Sequence, residues 1–237
     1  MPSIIPLLLG FLLVQSCMLQ LARSSSNFTD QSSLLAFNSK ITSGPNATVL
    51  VSNWSTATNF CNWIGVSCSR RRQRVTALNL SYMGLQGTIS PHIDQSPTSL
   101  ESTPTVIQPI GRYCPNLQVL YLSHNEFNMR LPSQMNYCRE IVELSLSGNK
   151  FDGSIPESYG SLEKLEYLAL GGNNLTGNIP PTVSNLSRLY EFGIESNNIE
   201  GRIPSDLWRL PNLLQLALRT NTHKSWKLKI PPGPVSE

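Results

Sequence analysis

Charge is scarce in this 237-residue chain: Lys, Arg, Asp and Glu make up only 14% of it, against about a quarter in an average soluble domain. So little charge excludes a disordered acidic or basic tail. A net charge of +3 is too small to imply binding to nucleic acid or a membrane surface. Long apolar runs are also few. Residues 4–22 form the only one, broken by Gln15, Ser16 and Gln20 and followed by small residues at Ala22 and 24–26. This reads as a signal peptide over 1–23, without its usual basic start, and no second segment could cross a membrane. Catalytic signatures are missing too. His92, His124 and His223 are far apart, and there is no nucleophile elbow, phosphate loop or zinc spacing. No enzyme activity, cofactor or metal site is expected.

What the chain has in excess is Leu (34), Ser (31) and Asn (20), a bias that points to a repeated pattern. The pattern appears in register as Leu120-Tyr-Leu122-Ser-His124-Asn125, Leu144-Ser145-Leu146-Ser-Gly-Asn149 and Leu168-Ala-Leu170-Gly-Gly-Asn173. It continues, always at the same step, as Phe192-Gly-Ile194-Glu195-Ser-Asn197 and Leu216-Ala-Leu218-Arg219-Thr-Asn221. This is the leucine-rich repeat spacing. Alternation puts both apolar residues of each Leu-x-Leu pair on one face of a short strand. The Asn falls where the chain turns away, so its amide can satisfy buried backbone groups of adjacent coils. The expectation is an α/β repeat: a right-handed solenoid with a parallel sheet on its concave face. Most copies also carry Gly-x-Ile-Pro, at Gly153, Gly177 and Gly201, with a weaker Met129-Arg-Leu131-Pro132.

Upstream, Asp30 is placed to N-cap a helix with Leu34, Phe37 and Ile41 on one side, ended by Gly44-Pro45. Cys61 and Cys68 enclose a short Gly-containing loop that reads as a local disulfide in an oxidising compartment. Cys114 and Cys138 lie one coil apart at inward positions and read first as buried free thiols, with a bond between them left open. Six Asn-x-Ser/Thr sequons stand at Asn27, Asn46, Asn53, Asn79, Asn174 and Asn185, and several are expected to carry glycans in a secreted chain. The basic run over residues 70–74 reads as a solvated loop.

The Gly-x-Ile-Pro copies, the 29–37 segment, Asn53-Trp54 and the 61–68 cysteine loop together resemble the extracellular region of plant leucine-rich-repeat receptor-like kinases. Residues 75–89 especially resemble the branch containing flagellin and elongation-factor sensors. The likeness covers roughly 27–90 and 110–221. It implies a helical, disulfide-bonded N-terminal cap over 27–74 and about six repeats over 75–221. It also implies ligand recognition at the cell surface, for peptide perception or defence. The partners would be a peptide or protein ligand and a co-receptor.

The pattern departs from the family in two places. Leu120 follows Leu78-Asn-Leu80 at less than two full repeat steps, and the interval 91–113 is irregular. Loss of part of a repeat is favoured over a bulged loop, and either would interrupt the stack. The tail, 222–237, has no repeat, capping cysteine pair, membrane span or kinase motif, so the chain reads as truncated. It is expected in the cell wall or apoplast, or at the plasma membrane if a longer form exists. The alternatives are a secreted inhibitor of wall hydrolases, resembling polygalacturonase-inhibiting proteins, or an inactive truncated product. Ligand contacts are expected from outward positions of the concave strands: Tyr121, His124, Glu143, Ser145, Tyr167, Glu191, Glu195, Gln215 and Arg219. The tyrosines would anchor a partner and the glutamates would attract a basic peptide.

Overall fold

Each Leu-x-Leu pair lies in or at the end of a strand. The computed structural model describes residues 30–44, 46–89 and 116–221. The expected signal peptide, Asn27, Pro45, Cys114, the 94–108 interval and the 222–237 tail lie outside them. The described chain begins in a helix, α1 (residues 30–38), which buries Leu34 and Phe37. Ile41 does not continue it. It starts β1 (Ile41–Ser43), which pairs antiparallel with β4 (Gln86–Thr88) further on. A β-branched residue just past the helix packs better on a pleated edge than in another helical turn. The helix α2 (Ala47–Asn53) and strand β2 (Val66–Cys68) complete the cap, and β2 pairs antiparallel with β3 (Val75–Asn79).

Three links hold the cap together. Cys61 and Cys68 are disulfide-bonded, with Cα atoms 5.5 Å apart. Trp54 and Trp63 stack at 5.4 Å. Asp30, fully buried, receives two bonds of 2.7 Å from the Arg74 guanidinium and one of 2.9 Å from the Val75 N–H. The basic run is therefore not uniformly solvated: Arg70, Arg71 and Arg72 are exposed, but Arg74 is a structural partner.

After β4 (Gln86–Thr88) come β5 (Val119–Tyr121), β6 (Glu126–Arg130), β7 (Glu143–Ser145), β8 (Lys150–Gly153) and β9 (Tyr167–Ala169). The series ends with β10 (Asn174–Gly177), β11 (Glu191–Gly193), β12 (Asn198–Ile199) and β13 (Gln215–Ala217). They sort into two sheets. One runs β13-β11-β9-β7-β5-β3-β2 and is the concave face; the other runs β1-β4-β6-β8-β10-β12. Between the sheets lies an unbroken apolar core, with Phe127 and Phe151 stacked at 6.5 Å and Phe37 reaching Phe127 from the cap. Pro132, Pro156, Pro180 and Pro204 each precede a 3-10 turn, where the missing N–H is not needed.

The sheet is not interrupted at the irregular interval. Leu78 pairs directly with Leu120, and Gly87 with Phe127. The asparagine ladder crosses the same join: Asn125 donates to the Leu80 carbonyl at 2.8 Å and accepts from the Leu85 N–H at 2.9 Å. The flanking strands stay in register because strand pairing and the ladder need only matched ends, not a fixed contour length. The same ladder pattern recurs at Asn149, Asn173, Asn197 and Asn221. Cys138 is a free buried thiol, and burial pushes its pKa up to about 12, so almost no reactive thiolate forms.

The Gly-x-Ile-Pro glycines hold a left-handed backbone, φ 71° at Gly153, 74° at Gly177 and 79° at Gly201, and Met129 adopts the same conformation at 72°. A Cβ on Gly177 would meet only the Ser154 Cβ, at 3.5 Å, so Gly177→Ala isolates backbone strain. It is expected to destabilise the protein by about 1 kcal/mol, the left-handed penalty less the gain from a stiffer unfolded chain. Urea unfolding checks this; an unchanged or higher midpoint would show that the position tolerates a side chain freely.

Candidate functional site

Parallel strands that recur once per coil place equivalent side chains side by side, so the outward positions form rows across the concave face. Tyr167 pairs in register with Glu143 on one side and Glu191 on the other. Together the rows line a shallow groove of about 430 Å³. Tyr121, His124, Ser145, Tyr167, Glu191, Glu195 and Gln215 all contribute to it. Glu143 is outside the lining but receives the Tyr121 hydroxyl's hydrogen bond. Arg219 is exposed and also outside the lining.

The groove has an aromatic wall and an acidic floor. Tyr121 and Tyr167 meet edge to face at 6.5 Å, and Tyr190 continues the row 6.3 Å from Tyr167. Burial raises the Tyr167 phenol above its ordinary value; the Glu191 carboxylate adds to this, and a hydrogen bond with Ser145 opposes it. Tyr167 therefore stays a neutral hydrogen-bonding group at any physiological pH. Ser123 and Ser145 share a hydrogen bond of 2.5 Å, which leaves Ser145 less free for a ligand than its outward position suggests.

Sequence reasoning missed Tyr82. It is 74% exposed and stacks on His124 at 4.3 Å, closing the N-terminal end of the groove. Its signal was present: Ser81-Tyr82 repeats Ser123-His124 after its own Leu-x-Leu. The irregular step between those two copies hid the equivalence.

The described sequons differ in exposure. Asn174 and Asn185 are exposed, as is Asn79 on β3 beside Tyr121. Asn46 instead turns its amide nitrogen inward to the Met83 carbonyl at 3.0 Å, and Asn53 accepts from the Ile64 N–H at 2.6 Å. A glycan on Asn46 would compete with that inward contact.

A leucine rich repeat N-terminal domain model matches residues 28–69, and the Leucine Rich Repeat model matches 116–138, 140–162 and 164–186. The LRR receptor-like serine/threonine-protein kinase EFR of Arabidopsis thaliana is 49% identical over 82 residues, 35% of this chain. That match spans only 8% of the kinase's own length. A chain of the BIR3–SERK2 complex from Arabidopsis thaliana superposes with TM-score 0.64 at 30% identity, covering 80% of this chain and 91% of that one. The ectodomain of the Arabidopsis receptor kinase HAESA, in complex with the peptide hormone IDA and the co-receptor SERK1, gives TM-score 0.58 at 28% identity. That superposition covers 81% of this chain and 33% of HAESA's.

Proposed function

Because the chain belongs to the family of plant leucine-rich-repeat receptor-kinase extracellular regions, we propose that it is an extracellular module that recognises a peptide or protein ligand along its concave sheet. The observation that carries this is the continuous groove walled by Tyr121 and Tyr167, with Glu191 and Glu195 at its base. Large aromatic side chains offer binding area with little rotamer entropy to lose. The alternation of strand residues would let an extended ligand be read one coil at a time.

A co-receptor is the natural second partner, as HAESA binds both a hormone and SERK1. The reading assigns no catalysis to this chain, since EFR is matched over only 8% of its length. Within it, residues 1–23 are a removed signal peptide, 27–74 the cap, 75–221 the repeats and 222–237 a tail. The Cys61–Cys68 disulfide supports an oxidising, extracellular setting.

Ala169→Trp tests the reading. Ala169 lines the middle of the groove between Ser145 and Gly193, so an indole there would fill the groove without entering the core. Peptides captured from plant apoplastic fluid by the purified chain should bind the variant at least about tenfold more weakly by calorimetry, a loss of about 1.4 kcal/mol. Equal affinity, with the melting temperature retained, would move recognition off this face.

A further inference from the structure

The coils are not equivalent at the groove floor. The position just after each strand's second apolar residue holds Ser123, Ser147, Gly171, Glu195 and Arg219 in turn. A Cβ placed on Gly171 would lie 2.4 Å from the Glu195 Oε1, and one on Gly193 would lie 3.1 Å from its Oε2. The Glu195 side chain therefore lies down across the sheet, in space that these two glycines leave open. In this posture Oε2 is shut off from solvent and has no hydrogen-bond partner. Glu195 takes part in none of the ion pairs among the described residues.

A shielded carboxylate oxygen with no donor is an unfavourable state, and a ligand that brings a donor relieves it. The surroundings select the kind of donor. Glu191 and Tyr167 line the same groove, so the local field is negative and one wall is an aromatic face. A positively charged side chain satisfies all three features: a charge-assisted bond to Glu195, attraction to Glu191, and packing against the Tyr167 ring. An acidic ligand would meet repulsion at the same place. A neutral amide would leave the charge of Glu195 uncompensated.

We propose that Gly171, Gly193, Glu195 and Tyr167 form a seat for one Lys or Arg side chain of a peptide ligand. The proposal rests on the concave-face reading above and adds which residue chemistry the face selects. Glu195 supplies the charge, the glycines set its position, and Tyr167 forms the wall.

The test is selection from a displayed library of random dodecapeptides on the purified chain. Peptides whose binding is lost on Ala169→Trp substitution should be enriched in Lys or Arg. Replacing that residue by Gln in a selected peptide should weaken binding about tenfold. Glu195→Gln should cause the same loss. Gly171→Ala should too, because it keeps every charge while pushing the Glu195 carboxylate off the floor. Three results would overturn the seat: Ala169→Trp-sensitive peptides without basic enrichment, undiminished binding to Glu195→Gln, or undiminished binding to Gly171→Ala. In the first case the concave reading survives and the cation seat fails. If no selected peptide is sensitive to Ala169→Trp, the concave reading itself fails, and the seat with it. Melting temperatures of both variants close to the parent's keep the comparison free of unfolding.

Discussion

Asn149→Ala is expected to destabilise the protein by about 3–5 kcal/mol. The Asn149 amide donates to the Leu122 carbonyl at 2.9 Å and the Leu146 carbonyl at 3.0 Å, and accepts from the Phe127 N–H at 3.1 Å. It is 7% exposed, so water cannot replace it. Alanine would leave the Phe127 N–H unpaired between the sheets, at about 1–3 kcal/mol. It would also take one of two amide donors from the Leu122 and Leu146 carbonyls, which keep Asn125 and Asn173, at about 0.5–1.5 kcal/mol each. The same substitution at Asn221, half-buried in the last described coil, should lose clearly less. Denaturant unfolding of the two variants decides the matter. A loss below about 1 kcal/mol at Asn149 would mean that strand pairing and apolar packing hold the coils without help from the asparagine ladder.

Asp30→Ala should be comparably damaging, at about 3–5 kcal/mol. The carboxylate is buried and accepts from three donors at once, two on Arg74 and the Val75 N–H. Removing it takes two bonds and the countercharge from a guanidinium that is only 14% exposed, and uncovers an N–H at the first residue of β3. That strand begins the parallel sheet, so the damage reaches the joint between cap and repeats. In the Asp30→Ala background, a further Arg74→Ala should add little. Fully additive losses in that double-mutant cycle would show that the two residues act independently.

The two sites also mark the limits of reading this fold from its sequence. The ladder was legible because Asn125, Asn149, Asn173, Asn197 and Asn221 recur at a fixed step beside Leu-x-Leu pairs. The Asp30–Arg74 pair was not, since the two belong to different motifs far apart in the chain. Asp30 had a sufficient local explanation as a helix cap, and Arg74 had one as a member of a basic run. Ile41 fits a helical face by spacing alone, and only its β4 partner, absent from any local window, makes it a strand. The short step between Leu78 and Leu120 suggested a broken stack because counting assumes that every coil has the same length. Strand pairing imposes no such condition.

The groove was half legible. Outward positions followed from alternation, which is why most of the proposed contacts do meet on one face. How a side chain lies on that face depends on neighbours in the adjacent coil. Glu195 lies flat because Gly171, at the equivalent position one coil earlier, has no side chain. Gly193 is local to Glu195 and opens part of that space, but the closer approach, to Gly171, lies one coil away.

Both sheets direct their backbone hydrogen bonds along the axis on which the coils stack. A pull between cap and last coil therefore acts along those bonds rather than across them, and loads them in series. Each coil is then a separate link, held to its neighbour by a few strand pairs, one asparagine and a layer of apolar contacts. Under tension such a body parts at its weakest joint and releases chain one link at a time. A force across the groove instead meets the stiff direction of the sheet.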